Sequence, residues 1–226
     1  MYNISGRCWG LSPLQVHISG LLLFIITGHG PRLILSDSIC KYITARETDV
    51  KFFKGRTVRE ISDMIFFNKV DVTGYSIICV HAGTNDINQL IESGNIANTS
   101  IHDVMGYYSA LRANIRRRNT FALILFSSVL PRADKFYQYL PLIRGLNFAI
   151  EKMCSKSKGA SIYIPSYKWF IQRGNPVKAL YAQDGLHPNG AGNDTLQAGL
   201  QQMMSTAALI ERVTSRRTAR LAALPY

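Results

Sequence analysis

The chain has 226 residues, 47% of them hydrophobic and 18% charged, with a formal net charge of +12. That length and apolar content suit one large domain with a sizeable core, and they exclude a chain disordered by composition. There is no internal repeat or low-complexity tract, and the apolar run Leu21 to Ile26 is far short of the roughly 20 residues of a membrane-spanning helix.

Residues 1–30 read as a leader or an extra N-terminal element. Leu21 to Ile26 has the character of a signal-peptide core, yet no small-x-small cleavage site follows it. Strand and helix patterns then alternate. Arg32 to Leu35 is an apolar strand ending at the turn Ser36-Asp37-Ser38, and Ile39 to Ala45 is predicted as the helix after it. Val50 to Phe53 is a second strand, ending at Gly55. Val58 to Phe67 carries Val58, Ile61 and Ile65 at helical spacing. Ser76 to His81 is a buried strand closed by Ala82-Gly83, and Gly83-Thr84-Asn85-Asp86 reads as a turn.

Ser100 to Arg118 is a long amphipathic helix, with Ile101, Val104, Tyr108, Leu111 and Ile115 along one side. Phe121 to Phe126 is a strand, Tyr139 to Ser155 a helix and Ala160 to Ile164 a last strand. Asn189 to Val213 is the C-terminal helix, begun by Asn189 after Pro188, and residues 211–226 form a basic tail. Continuous apolar strands alternating with helices imply an α/β domain over 31–210, a three-layer αβα arrangement around a mostly parallel sheet. Ligand sites of such sheets form at the carboxyl ends of the strands, where Ser38, Gly55 and Gly83 to Asn85 all fall.

Three short segments there carry complementary chemistry. Ser38 sits at a strand-to-helix turn that exposes its hydroxyl; a helix-capping role for Ser36, Asp37 or Ser38 is the plainer alternative. Asp184 and His187 flank Gly185 in a tight turn. A carboxylate there can orient the imidazole, leaving its other nitrogen to face Ser38 as a general base. The alternative is a loop histidine beside a helix start. The Asn85 amide can donate to a developing oxyanion beside the Gly55 backbone N–H, or belong to an ordinary turn.

Taken together, these segments resemble the blocks of the SGNH/GDSL hydrolase superfamily. Leu33 to Ile39 is similar to its first block, Gly55 to its second, His81 to Ile87 to its third and Asp184 to Pro188 to its fifth. The resemblance spans roughly Pro31 to Thr206 and implies a flavodoxin-like fold with a five-stranded sheet. It also implies a nucleophile at Ser38, an oxyanion hole from Ser38, Gly55 and Asn85, and a triad completed by Asp184 and His187. Ser36 departs from it, because the family's first block begins with glycine. If that position needs φ > 0, serine brings strain. More loosely, the chain resembles the esterase-like domains of animal non-LTR retrotransposon reading frames.

The implied activity is a metal-independent serine esterase acting on a small acyl ester, a lipid or an acetylated sugar, with no cofactor. No His/Asp/Glu grouping has metal-ligand spacing. The rival reading is a hydrolase-fold binding module whose basic surface holds nucleic acid or anionic lipid; the charge also suits a merely solvated surface. Cys8, Cys40, Cys79 and Cys154 form no CxxC pair. Cys79, in an apolar strand, and Cys154, in a helix, read as buried free thiols and favour an intracellular, reducing compartment over secretion. His81 is expected to support the site loop; Tyr137, Tyr139, Trp169 and Phe170 could line an acyl or sugar pocket, with ordinary packing the plainer reading of each.

Overall fold

The computed structural model describes residues 30–94, 98–157 and 159–222. The expected leader, apart from Gly30, lies outside the described residues, as do Cys8, His17 and His29. Five strands form the central sheet: β1 (Arg32–Ser36), β2 (Thr48–Phe52), β3 (Ile77–His81), β4 (Leu123–Ser127) and β5 (Ser161–Ile164). Their order is β2-β1-β3-β4-β5 and every pairing is parallel, the doubly wound order of flavodoxin-like folds. The helices are α1 (Val58–Phe66), α2 (Thr84–Glu92), α3 (Asn98–Arg118), α4 (Phe136–Ser155) and α5 (Gly190–Ala222).

Alternation along each strand sends successive side chains into two separate cores. Leu33, Leu35, Ile78, Val80, Ile124 and Phe126 pack with the apolar sides of α1, α3 and α4. Ile34, Ile77, Cys79, Leu125 and Ile164 pack instead with Leu196, Leu200 and Met204 of α5. Each fully buried aliphatic side chain stabilises by roughly 1.5–3 kcal/mol, so both faces hold the sheet. This is the three-layer αβα architecture expected. Cys40, Cys79 and Cys154 are buried free thiols. No described helix is long and apolar enough to cross a membrane.

Several elements differ from the sequence expectation. The helix expected over Ile39 to Ala45 is only a 3-10 turn, Ser38–Cys40. Its bonds, Lys41 N–H to Ser38 O and Ile43 N–H to Cys40 O, are of the short-range kind, and the Thr44 N–H leaves for the Gln197 side chain of α5. Ile39, Tyr42, Ile43 and Thr44 are also poor helix formers. Conversely, the Gly-Thr-Asn-Asp turn is the first turn of α2. Helix α5 runs to Ala222, past the expected end at Val213 and through much of the supposed tail. A small hairpin, β6 (Ile171–Gln172) with β7 (Asn175–Pro176), was not anticipated.

Candidate active site

Register levels the strand ends: Ser36 pairs with Phe52 on one side and His81 on the other. The loops after β1, β2 and β3 therefore leave the sheet side by side. Ser38 opens the 3-10 turn after β1, and Asp37 caps that turn. The Asp37 carboxylate is buried; it accepts the Ile39 N–H at 3.0 Å and the Thr84 N–H at 3.3 Å. It thus ties the Ser38 turn to the start of α2. Burial outweighs those bonds and pushes its pKa up to about 6.

Ser38 Oγ lies 3.0 Å from His187 Nε2, and His187 Nδ1 lies 2.7 Å from Asp184 Oδ2. Asp184 Oδ1 also accepts the N–H groups of Leu186 and His187, at 2.9 and 3.0 Å. One carboxylate therefore shapes the turn and orients the ring. Its desolvation raises the Asp184 pKa, but the hydrogen bonds from His187 and Leu186 outweigh it and hold the carboxyl below its usual value. The turn needs Gly185: its φ is +64°, and a Cβ there would come within 2.7 Å of Asp134. Asn189 secures the far side, its Oδ1 accepting the Gly192 N–H at the start of α5. The side chains of Asp184 and His187 are 51% and 37% exposed, so the site opens to solvent.

Gly55 follows β2 and Asn85 lies in the first turn of α2. Gly55 has φ +71°, and no atom lies within 4 Å of where a side chain would start, so glycine is needed for the turn and not for room. Asn85 Nδ2 donates to Arg56 O at 2.9 Å. An amide has two N–H bonds, and this one uses a single hydrogen. Behind them, Thr57 and Glu60 form a capping box on α1, with Glu60 also bonded to Arg56. The buried Asp86 carboxylate accepts the Val58 N–H at 3.0 Å, and burial pushes its pKa to about 6 as well. Gly83, which opens α2, has φ +122°; a Cβ would fall 2.6 Å from the Tyr108 hydroxyl and 2.8 Å from Val129.

All five residues singled out from the sequence, Ser38, Gly55, Asn85, Asp184 and His187, meet at this one end of the sheet. Ser36 is extended backbone within β1 and carries no positive φ, so the strain considered for it does not arise. Its buried hydroxyl donates to the His81 carbonyl at 2.7 Å. His81 is buried beneath the site, with Nδ1 2.8 Å from Ser127 Oγ, and burial lowers its pKa to about 4.

Of the four aromatics considered for a pocket, most are packed as ordinary core or contact residues. Phe170 and Tyr139 are core residues, and Trp169 packs against Gly199 of α5. Tyr137 lines a cavity of about 410 Å³ with Asp134, Phe136, Asn175 and Lys178. Asp86, Asn88 and Arg132 had no role in the sequence reading. The signal that would have found Asp86 is an acid beside the Asn85 amide in the first turn of a helix, where the sequence suggests a turn.

The family model of GDSL-like lipases/acylhydrolases matches residues 41–195. The chain belongs to that family. For this GDSL-like hydrolase the match spans Gly55, Asn85, Asp184 and His187 but begins beyond Ser38, whose place rests on its contact with His187. Solved structures agree on the fold. A GDSL-like lipase from Bacteroides thetaiotaomicron superposes with a TM-score of 0.64 at 17% identity, over 86% of this chain and 98% of its own. A catalytic mutant of an acetylxylan esterase from Geobacillus stearothermophilus gives 0.59 at 14% identity, over 77% and 94%. A carbohydrate esterase family 3 protein from Talaromyces cellulolyticus gives 0.59 at 15% identity, over 79% and 98%. No curated protein matches the chain in sequence.

Proposed function

We propose that this GDSL-like hydrolase is a serine esterase with Ser38 as nucleophile, His187 as general base and Asp184 as its orienting acid. The observation that carries the reading is the continuous line from Ser38 Oγ to His187 Nε2, 3.0 Å, and from His187 Nδ1 to Asp184, 2.7 Å. In the first step His187 takes the Ser38 proton as Oγ attacks the ester carbonyl. The oxyanion is held by the N–H groups of Ser38 and Gly55 and the free hydrogen of the Asn85 amide. Collapse breaks the ester bond, and the alcohol leaves with the proton from His187. Water, deprotonated by the same imidazole, then hydrolyses the acyl-Ser38 and releases the acid.

The open site and the small cavity beside Asp134 suit a short acyl group on a larger alcohol. The acetyl-sugar esterases among the structural neighbours make an acetylated carbohydrate the first substrate to assay. No observation at the site favours the nucleic-acid or anionic-lipid reading.

Ser38→Ala should lower kcat on p-nitrophenyl acetate by about 10³-fold or more and abolish labelling by a fluorophosphonate probe. Turnover retained in that variant would overturn the assignment.

A further inference from the structure

Outside the proposed triad, a single guanidinium bonds a neighbour of each half of the proposed site. Arg132 lies in the connection between β4 and α4. Its Nε and Nη2 donate to the two oxygens of Asp134, at 3.0 and 2.8 Å, while Nη1 donates to Asn88 Oδ1 at 2.7 Å. The Tyr139 ring lies beneath it, with Cζ 4.4 Å from the ring centroid. The side chain is only 12% exposed, so three partners hold a largely covered, planar group.

Each partner leads to a different part of the site. Asn88 follows Asn85 at i+3 on α2, so the two amides share one side of that helix. Asp134 is the surface on which the histidine turn rests: a Cβ on Gly185 would meet its Cβ and its N at 2.7 Å. The neighbouring Ala133 N–H donates to Gly185 O at 2.7 Å. One arm of the guanidinium therefore ends on α2, and the other on Asp134, against which the Asp184–His187 turn packs.

We propose that Arg132 is a positioning residue that fixes the spacing between the Asn85 amide and the Asp184–His187 pair, acting through Asn88 and Asp134. Its catalytic consequence rests on the esterase reading; the strut itself rests on these contacts alone. Lysine cannot replace it, because an ammonium offers no planar fork and would hold one partner at the expense of the other. Misplacing catalytic groups by about 1 Å costs on the order of 10²-fold in rate, which sets the scale of the effect.

The test compares the full-length wild type with Arg132→Lys and Asn88→Ala. In Arg132→Lys, kcat on p-nitrophenyl acetate should fall roughly 10- to 100-fold while KM changes less than about threefold. Asn88→Ala keeps the Asp134 fork and should lose several-fold in kcat; it also serves if Arg132→Lys does not fold. The double variant should fall little below Arg132→Lys, because both changes break the same strut. Independently of turnover, the downfield proton resonance of the His187–Asp184 hydrogen bond should shift or broaden in Arg132→Lys. An unchanged resonance and unchanged kcat in the folded variants would overturn the proposal. If the wild type cleaves no ester, the esterase reading fails by itself, and the resonance decides alone: a shift supports the strut and an unchanged signal refutes it.

Discussion

Ser36 occupies the place where the family's first block begins with glycine, and the serine does structural work there. Its backbone is extended and paired on both sides. Its hydroxyl links β1 to the carbonyl that ends β3. Reverting it to the family residue should therefore harm the protein. Ser36→Gly loses one buried hydrogen bond, worth about 1 kcal/mol, and adds backbone freedom worth roughly 0.5–1 kcal/mol. The expected outcome is a loss of about 1–2 kcal/mol in urea unfolding, with no gain in kcat/KM. A more active or more stable Ser36→Gly protein would show that the serine is a defect. Gly83 is the reverse case: its φ of +122° and the Tyr108 hydroxyl leave no room for any side chain. Which of two positions tolerates a substituent is set by neighbours from other elements, and a single sequence does not show them.

Helix α2 is the hub of the proposed oxyanion wall. Its first N–H is held by Asp37 from the Ser38 turn, and its own Asp86 holds the Val58 N–H at the start of α1. Through these bonds the three loops carrying Ser38, Gly55 and Asn85 behave as one unit. Asp86→Ala strands a buried N–H and should cost about 1–3 kcal/mol, with kcat reduced several-fold through the displaced Asn85. Asp86→Asn keeps an acceptor and should retain most of both. Equal losses in the two variants would mean that the carboxylate's charge, and not its bond, is what matters. Much of this arrangement was legible beforehand. The apolar runs of β1, β3 and β4 are unambiguous because both faces of the sheet are covered, and their ends locate the motifs. Helix α2 was missed because its glycine start and polar first turn look like a loop, although Ile87, Leu90 and Ile91 already carry helical spacing. The expected helix after Ser38 failed because a donor from another element, Gln197, draws off its next N–H. Arg132 was unreadable because its partners Asn88 and Tyr139 lie on two different helices.

Among the described residues, three buried groups set the linkage between protons and folding from about pH 4 to pH 6. Burial raises Asp37 and Asp86 from 3.8 to about 6 and lowers His81 from 6.5 to about 4. Between these values the native state keeps protons on both carboxyls that the unfolded chain has released. It lacks the one proton that the unfolded imidazole carries. Two against one leaves the native state with one extra proton, so stability falls as pH rises across that window, by up to about 1.4 kcal/mol per pH unit. Glu60, Asp71, Asp134 and Asp184 work below it. Hydrogen bonds and cationic partners hold them under their usual values, so the stability they add is present above the ordinary carboxylate range and lost on further acidification. The fold should thus be most stable on the acid side of neutrality. Urea unfolding at about pH 4.5, 5.25 and 6, in about 0.15 M salt to screen the +12 charge, measures the slope. His81→Gln removes the opposing imidazole and keeps a polar partner for Ser127, so its slope should about double. A wild-type slope of the opposite sign would refute the assignment of Asp37 and Asp86. An unchanged slope in His81→Gln would show that the buried imidazole is not what opposes them.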